Sequence, residues 1–154
     1  MKVSDLLNSG NVHHNLEAES KEQLVKAMIE SLSGQLGKEN TMRATRAVME
    51  RESIMSTGVG KGLGIPHAKI NGIERNYAVF ARLKKPLAYG SIDDQDVDLV
   101  FLLIGPDGQS STHIKLLSRI SRLMNNDQFR HAVQQAGSAE EILDIFSKEE
   151  SGMQ

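Results

Sequence analysis

The stretch Ser56–Ala68, STGVGKGLGIPHA, sets glycines at every second position (Gly58, Gly60, Gly62, Gly64) and ends on Pro66 and His67. An imidazole has a reference pKa of about 6.5, so near pH 7 it is largely neutral and can attack an electrophile without a separate base. The glycines invite a test against phosphate-binding loops. A P-loop needs G-x-x-x-x-G-K-[ST], whereas Lys61 is followed by Gly62 and no hydroxyl is available for Mg²⁺. A dinucleotide fingerprint needs G-x-G-x-x-G running into a helix, and here Pro66 stands where that helix would be running.

A period of two is strand-like. If the segment is extended, the four glycines share one face, with Val59, Lys61, Leu63 and Ile65 on the other. The bare face would let another molecule approach the backbone. Pro66 has a fixed φ and steers Ile65 away from the helical region, which stiffens the chain just before His67. The other reading is a glycine-rich hairpin with an incidental histidine, and the residues alone leave both open. His13-His14 is a poor metal pair, because adjacent side chains on a strand point apart and no third ligand follows. Asp93, Asp94 and Asp96 lack the spacing and the final glutamate of a calcium loop. His131, among polar residues, reads as solvated.

Several elements must hold His67 in place. A helix is predicted over Lys21–Leu36, with Ser20 and Gln23 at capping-box spacing, an apolar stripe of Leu24, Val25, Met28, Ile29, Leu32 and Leu36, and Gly37 as its stop. A second is predicted over Met42–Glu52. Asn76–Leu83 and Val97–Gly105 read as strands, the latter almost continuously apolar, as in a strand covered on both faces. Lys84–Asp96 carries the Pro, Gly and Asp of a loop. Ser110–Met124 reads as a helix capped by Ser111 or Thr112. Another opens at Asn126-Asp127 and ends at Gly137, and Ser138 with Glu141 marks the start of a third. Helices, then strands, then helices imply a single-domain α/β sandwich with helices over both sheet faces.

The chain has 154 residues and no composition break, which fits one domain. A net charge of -2 argues against a dedicated nucleic-acid binder. The absence of cysteine rules out disulfides, thiolate catalysis and thiolate-bound zinc. No apolar run approaches the ~20 residues of a membrane span, and the N-terminus lacks the apolar stretch of a signal peptide, so the expectation is a cytoplasmic protein.

The run RESIMSTGVGKGLGIPHAK (51–69) closely resembles the active-site signature of enzyme IIA domains of the fructose/mannitol/nitrogen type, from the bacterial phosphoenolpyruvate:sugar phosphotransferase system. PLAYGSIDDQDVDLVFLLIGPDG is similar to the family's loop and core strand. HIKLLSRISRLMNNDQFRHAVQQAGSAEEILDIF is similar to its C-terminal helices, and SKEQLVKAMIESL with TMRATRAVMERE to its N-terminal helical pair. The resemblance covers residues 1–149 and leaves 150–154 as a frayed tail. It implies a mixed, mostly parallel sheet of about five strands. Val59, Leu63 and Gly64 stand where Ile, Ile and Ala are commoner.

By the same resemblance, His67 is the phosphorylated histidine, His113 the second histidine of the site, Arg51 the arginine that helps hold the phosphoryl group, and Thr57 a small hydroxyl residue near it. The implied donor is HPr or its nitrogen-branch paralogue. The implied acceptor is an enzyme IIB domain feeding a fructose- or mannitol-type permease. In the regulatory alternative, a nitrogen-type IIA binds target proteins according to its phosphorylation state. A non-phosphorylated binding module that kept only the fold is a remote third reading. No cofactor, metal, nucleic acid or membrane insertion is implied. The chemistry suits these residues, because phosphoryl transfer is mostly positioning and charge stabilisation. A backbone carbonyl is expected to orient His67, the first turn of the His113 helix to attract the anion, and Val59, Lys61, Leu63 and Ile65 to contribute to a docking surface.

Overall fold

The computed structural model describes residues 1–153. Six strands and six α-helices occur among them: β1 (Val12–Leu16), α1 (Lys21–Glu30), α2 (Ser33–Leu36), α3 (Lys38–Ile54), β2 (Gly58–Gly60), β3 (Leu63–Gly64), β4 (His67–Ile70), β5 (Tyr77–Leu87), β6 (Val97–Pro106), α4 (Ser110–Met124), α5 (Asp127–Gln135) and α6 (Ala139–Ser151). A short 3-10 turn, Val3–Leu6, precedes them. The sheet runs β1-β5-β6-β3-β2, with β4 also on β6. The pairings β1–β5, β3–β6 and β4–β6 are parallel, and β5–β6 and β2–β3 are antiparallel.

The apolar run predicted as a doubly covered strand is β6. Val97 and all residues from Leu99 to Pro106 are buried. On one face, Phe80, Phe101, Leu103 and Leu99 pack with Ile120, Phe129 and Phe146 from α4, α5 and α6. On the other, Val79, Val100, Leu102 and Ile104 pack with Leu24, Met28, Ile29, Ala44 and Val48 from α1 and α3. Alternate residues of one strand thus serve two cores, which is why the run reads as continuous rather than alternating.

The caps expected from the two capping-box spacings form: Ser20 accepts from the Gln23 N–H at 3.1 Å, and Ser138 accepts from the Glu141 N–H at 3.2 Å. The predicted 21–36 helix is broken. The Ser31 hydroxyl bonds back to the Met28 carbonyl at 2.6 Å, the competition with the helix ladder that serine offers, and the chain restarts at Ser33 with Leu32 still fully buried. The second helix begins four residues before its predicted start, directly after Gly37 turns the chain at φ 82°. β5 continues through Leu87 into the predicted loop, whose Tyr89 is buried.

The frayed tail is corrected too. α6 runs to Ser151, and Glu150 is fully buried. Its carboxylate accepts from the backbone N–H groups of Val3 and Ser4 (2.8 Å to Ser4) and from Arg119 Nε on α4 at 2.8 Å. Burial alone would raise its pKa. Those hydrogen bonds outweigh burial and hold it below the usual carboxylate range. One side chain therefore ties the N-terminal turn, α4 and α6 together, and the sequence conceals this because "KEES" reads as a charged surface end. Gln154 lies outside the described residues.

Replacing Glu150 with glutamine removes the charge that Arg119 pairs with. The expected loss is on the order of 2 kcal/mol, typical of hydrogen bonds to charged groups, or about 4–8 °C in Tm for a domain of this size. Thermal denaturation followed by circular dichroism checks it, and an unshifted midpoint would show that the tail is not anchored.

Candidate functional site

The Ser56–Ala68 stretch is a hairpin followed by a strand. β2 pairs with β3, Gly58 opposite Gly64 and Gly60 opposite Leu63, across a turn at Lys61 (φ 59°) and Gly62 (φ 78°). Positive φ at both central residues matches the right-handed strand twist and explains Gly62. The turn breaks the period of two. Val59 is half-exposed and Lys61 exposed, but Leu63 and Ile65 lie in the core, so the expected four-residue outer face does not exist. Nor do the glycines bare a face for a partner. A Cβ on Gly58 would meet Ser91 Oγ at 2.4 Å, and one on Gly64 would press the Tyr89 ring at 3.2 Å, so the segment following β5 packs onto them.

At Ile65-Pro66 the chain leaves β3 and rejoins β6 as β4. Ile65 N–H bonds to Thr57 O at 3.1 Å, and Pro66 O accepts from the Leu103 N–H at 3.1 Å. His67 Nδ1–H donates to the carbonyl of Ile65 at 2.7 Å. This is the orienting carbonyl expected from the sequence, and it leaves Nε2 with the ring's free lone pair. Burial lowers the His67 pKa. The Arg51 cation lowers it further, against the opposing effects of the Ile65 carbonyl and Glu52. The ring is thus neutral and nucleophilic at physiological pH.

His113 belongs to the first turn of α4 and its ring centroid is 5.8 Å from that of His67. Only 5 % of it is exposed. Burial, then the neighbouring His67 and Lys69, push its pKa down to about 4. Neither Ser111 nor Thr112 caps the helix. Gln109 holds the N-cap position without a side-chain bond, so the N-terminal N–H groups of α4 carry no side-chain partner. Arg51 lies in the last turn of α3, where its Nη1 donates to the Met55 carbonyl at 3.0 Å, and its charge reaches His67.

Thr57, expected as a small hydroxyl residue near the site, is engaged by groups of the protein itself. Its hydroxyl donates to Glu52 Oε1 and lies 3.0 Å from the Tyr89 hydroxyl, all three residues being buried. Glu52 also accepts from the Thr57 N–H at 3.2 Å, Tyr89 at 3.2 Å and Lys21 Nζ at 3.0 Å. Burial and the Glu52 charge push the Tyr89 pKa up, which keeps it a donor. This network fastens the start of β2 to α3 one residue after Arg51. Sequence reasoning missed it. The available signal was a carboxylate continuing the Thr41, Ala44, Val48 stripe at i+4. Lys69 was missed as well, although it shares the His67 face of β4 by a spacing of two. Its Nζ donates to Ser110 Oγ at the start of α4 at 2.7 Å. His13, His14 and the Asp93–Asp96 segment form no metal cluster, and no group of three metal-ligating side chains occurs among the described residues.

Comparison with known proteins places these features in a family. Residues 5–149 match the family described as "Phosphoenolpyruvate-dependent sugar phosphotransferase system, EIIA 2". The chain is 35% identical over 149 residues to the fructose-specific EIIABC component of Bacillus subtilis, covering 96% of this chain and 23% of that protein. It is 31% identical to the nitrogen regulatory protein of Bradyrhizobium diazoefficiens, covering 96% of this chain and 95% of that one. Among solved structures, nitrogen regulatory protein IIA-Ntr from Neisseria meningitidis superposes with a TM-score of 0.87 at 24% identity, over 94% of this chain and 98% of that one. No helix among the described residues is long and apolar enough to cross a membrane.

The low pKa of His113 has a consequence for stability. The folded chain keeps this ring neutral down to about pH 4, whereas the unfolded chain protonates it near 6.5. Its contribution is therefore present above pH 6.5 and is lost as pH falls from 6.5 toward 4. Tm measured across that range is expected to fall, and less steeply in His113→Gln. Parallel profiles for the two proteins would contradict the assignment.

Proposed function

The chain belongs to the phosphoenolpyruvate-dependent sugar phosphotransferase system EIIA 2 family, and on that premise we propose that it is a phosphocarrier. It accepts a phosphoryl group on His67 from phospho-HPr and passes it to an enzyme IIB domain of a fructose- or mannitol-type system. The observation that carries this reading is the bond from His67 Nδ1–H to the Ile65 carbonyl, which leaves Nε2 as the nucleophile. The Nε2 lone pair attacks phosphorus, the P–N bond of the donor phosphohistidine breaks, and the donor imidazole departs with that electron pair. His67 keeps its Nδ1 proton, and the Ile65 carbonyl stabilises the positive charge the ring then shares. No proton has to move between the proteins, so the step reverses readily toward an acceptor.

The dianionic phosphoryl group needs compensating charge. The Arg51 guanidinium, the uncapped N-terminus of α4 and an N–H of neutral His113 supply it, with Lys69 as an additional cation beside α4. Thr57 acts at one remove, through Glu52, by fixing the loop after Arg51. Exposed apolar side chains border the same segments: Ile54 and Met55 after Arg51, Val59 and Ile92 at the hairpin, and Ile114 beside His113. They replace Leu63 and Ile65 in the expected docking surface, with Val59 and Lys61 kept from it.

A second reading, a nitrogen-type regulator that binds targets according to its phosphorylation state, is supported by the likeness to the Bradyrhizobium nitrogen regulatory protein. Both readings share the first step and differ in the acceptor.

Incubation with phosphoenolpyruvate, enzyme I and HPr, followed by intact mass measurement, is expected to show one added phosphoryl group, labile in acid, stable in base and absent in His67→Ala. An unchanged mass with cognate donors of both branches would sink the proposal. His113→Ala and Arg51→Ala are expected to fold and to transfer about 100-fold more slowly, as when one charge-stabilising donor is removed. Passage of the phosphoryl group to purified fructose- or mannitol-type IIB, read as a mass gain on IIB, separates transport from regulation.

A further inference from the structure

Gly105 on β6 has a distinctive neighbourhood. Lys69 is paired with it on β4. On the opposite side, Tyr77 of β5 pairs with Ile104, so Asn76 falls opposite Gly105. A Cβ on Gly105 would lie 2.7 Å from His113 Nδ1 and 2.8 Å from Asn76 Oδ1. The hollow left by the missing side chain is thus where the inner edge of the His113 ring sits, and the Asn76 carboxamide shares it. Those two distances keep the two polar atoms within 5.5 Å of each other. Asn76 is 6 % exposed, and neither its Oδ1 nor His113 Nδ1 has a hydrogen-bond partner among the described residues. Buried polar groups of this kind are normally paired, and these two face the same hollow.

A neutral imidazole has one donor nitrogen and one acceptor, and a partner that fills one of them decides the role of the other. The two ends of a carboxamide are nearly the same size, so a half-turn about its terminal bond presents Nδ2–H₂ to the ring instead of Oδ1. With the amide donating to Nδ1, the proton of His113 must be on Nε2, the nitrogen turned away from the hollow. With the opposite polarity Nε2 would hold a lone pair, which repels phosphoryl oxygens. We propose that Asn76 is a positioning residue: its amide N–H bonds to His113 Nδ1 across Gly105 and sets His113 as the Nε2–H tautomer that donates to the phosphoryl group on His67. This rests on the phosphocarrier reading for its consequence, but not for the bond itself. The depressed pKa of His113 supports it, because a ring that stays neutral needs its single proton placed.

The test uses the unphosphorylated chain labelled with ¹⁵N-histidine. Long-range ¹H–¹⁵N correlation at neutral pH is expected to show His113 as the Nε2–H tautomer, and an Nδ1–H tautomer in the wild type overturns the proposal. In Asn76→Ala the preference is expected to relax toward a mixture, with phosphoryl transfer about tenfold slower, the scale of losing an orienting partner. Asn76→Asp, which offers only acceptors, is expected to draw the proton to Nδ1 and to raise the His113 pKa. Wild-type tautomer and rate in both variants would also overturn it. If the variants fail to fold, the wild-type tautomer still decides. Failure of the phosphocarrier reading is distinguishable, since it shows as a wild-type chain that gains no phosphoryl mass whatever its tautomer.

Discussion

Everything at this site depends on one edge of β6 being shared by two strands in succession. β3 pairs with Leu99 and Val100, and β4 pairs with Leu103 through Pro106. Between them the chain must step across Leu102 and Phe101 without losing its hydrogen bonds, since β6 is buried on both faces. Pro66 sits in that step. It has no N–H to satisfy, and its carbonyl takes the Leu103 N–H. The carbonyl before it, that of Ile65, is left for the imidazole that follows. The His67 ring is thus oriented by the irregularity in the ladder itself, two residues away along the chain, and not by a distant side chain.

The second constraint is electrostatic. On the phosphocarrier reading proposed above, the site has to hold a dianion while keeping both imidazoles neutral, so it cannot simply accumulate positive charge. Burial does most of the work at His67 and His113, with the cations Arg51 and Lys69 adding to it at His67 and His113 respectively. Glu52 is the counterweight. Its carboxylate is taken up by Thr57, Tyr89 and Lys21, which braces the loop that follows α3. Both cores meet at β6, which couples this bracing on the α3 side to the α4 side that carries His113.

What could be read from the residues followed from rules acting over a few positions. The caps at Ser20 and Ser138, the stripe of α1 and the apolar run of β6 are local consequences of side-chain period and backbone demand, and they put the layers in place. The signature around His67 carried the chemistry because its residues are contiguous. The errors arose where a local pattern met a non-local partner. The alternation of glycines looked like one extended strand until a turn at Lys61-Gly62 folded it back, and burial of Leu63 and Ile65 in the core on the α4–α6 face outweighed their place in that alternation. Residues 150–154 read as a frayed tail until Val3, Ser4 and Arg119 supplied partners for Glu150.

The sequence by itself determined the main helices, the two long strands and their order, and its motif around His67 pointed to the family, since periodicity, capping and a contiguous motif require no knowledge of what lies across the sheet. Only the tertiary structure decided that Thr57 braces Glu52, that Lys69 reaches the start of α4, and that Asn76, Gly105 and His113 share one hollow. Those contacts join residues tens of positions apart through strand register, and register is set by packing of the whole sheet, which no short window of sequence contains.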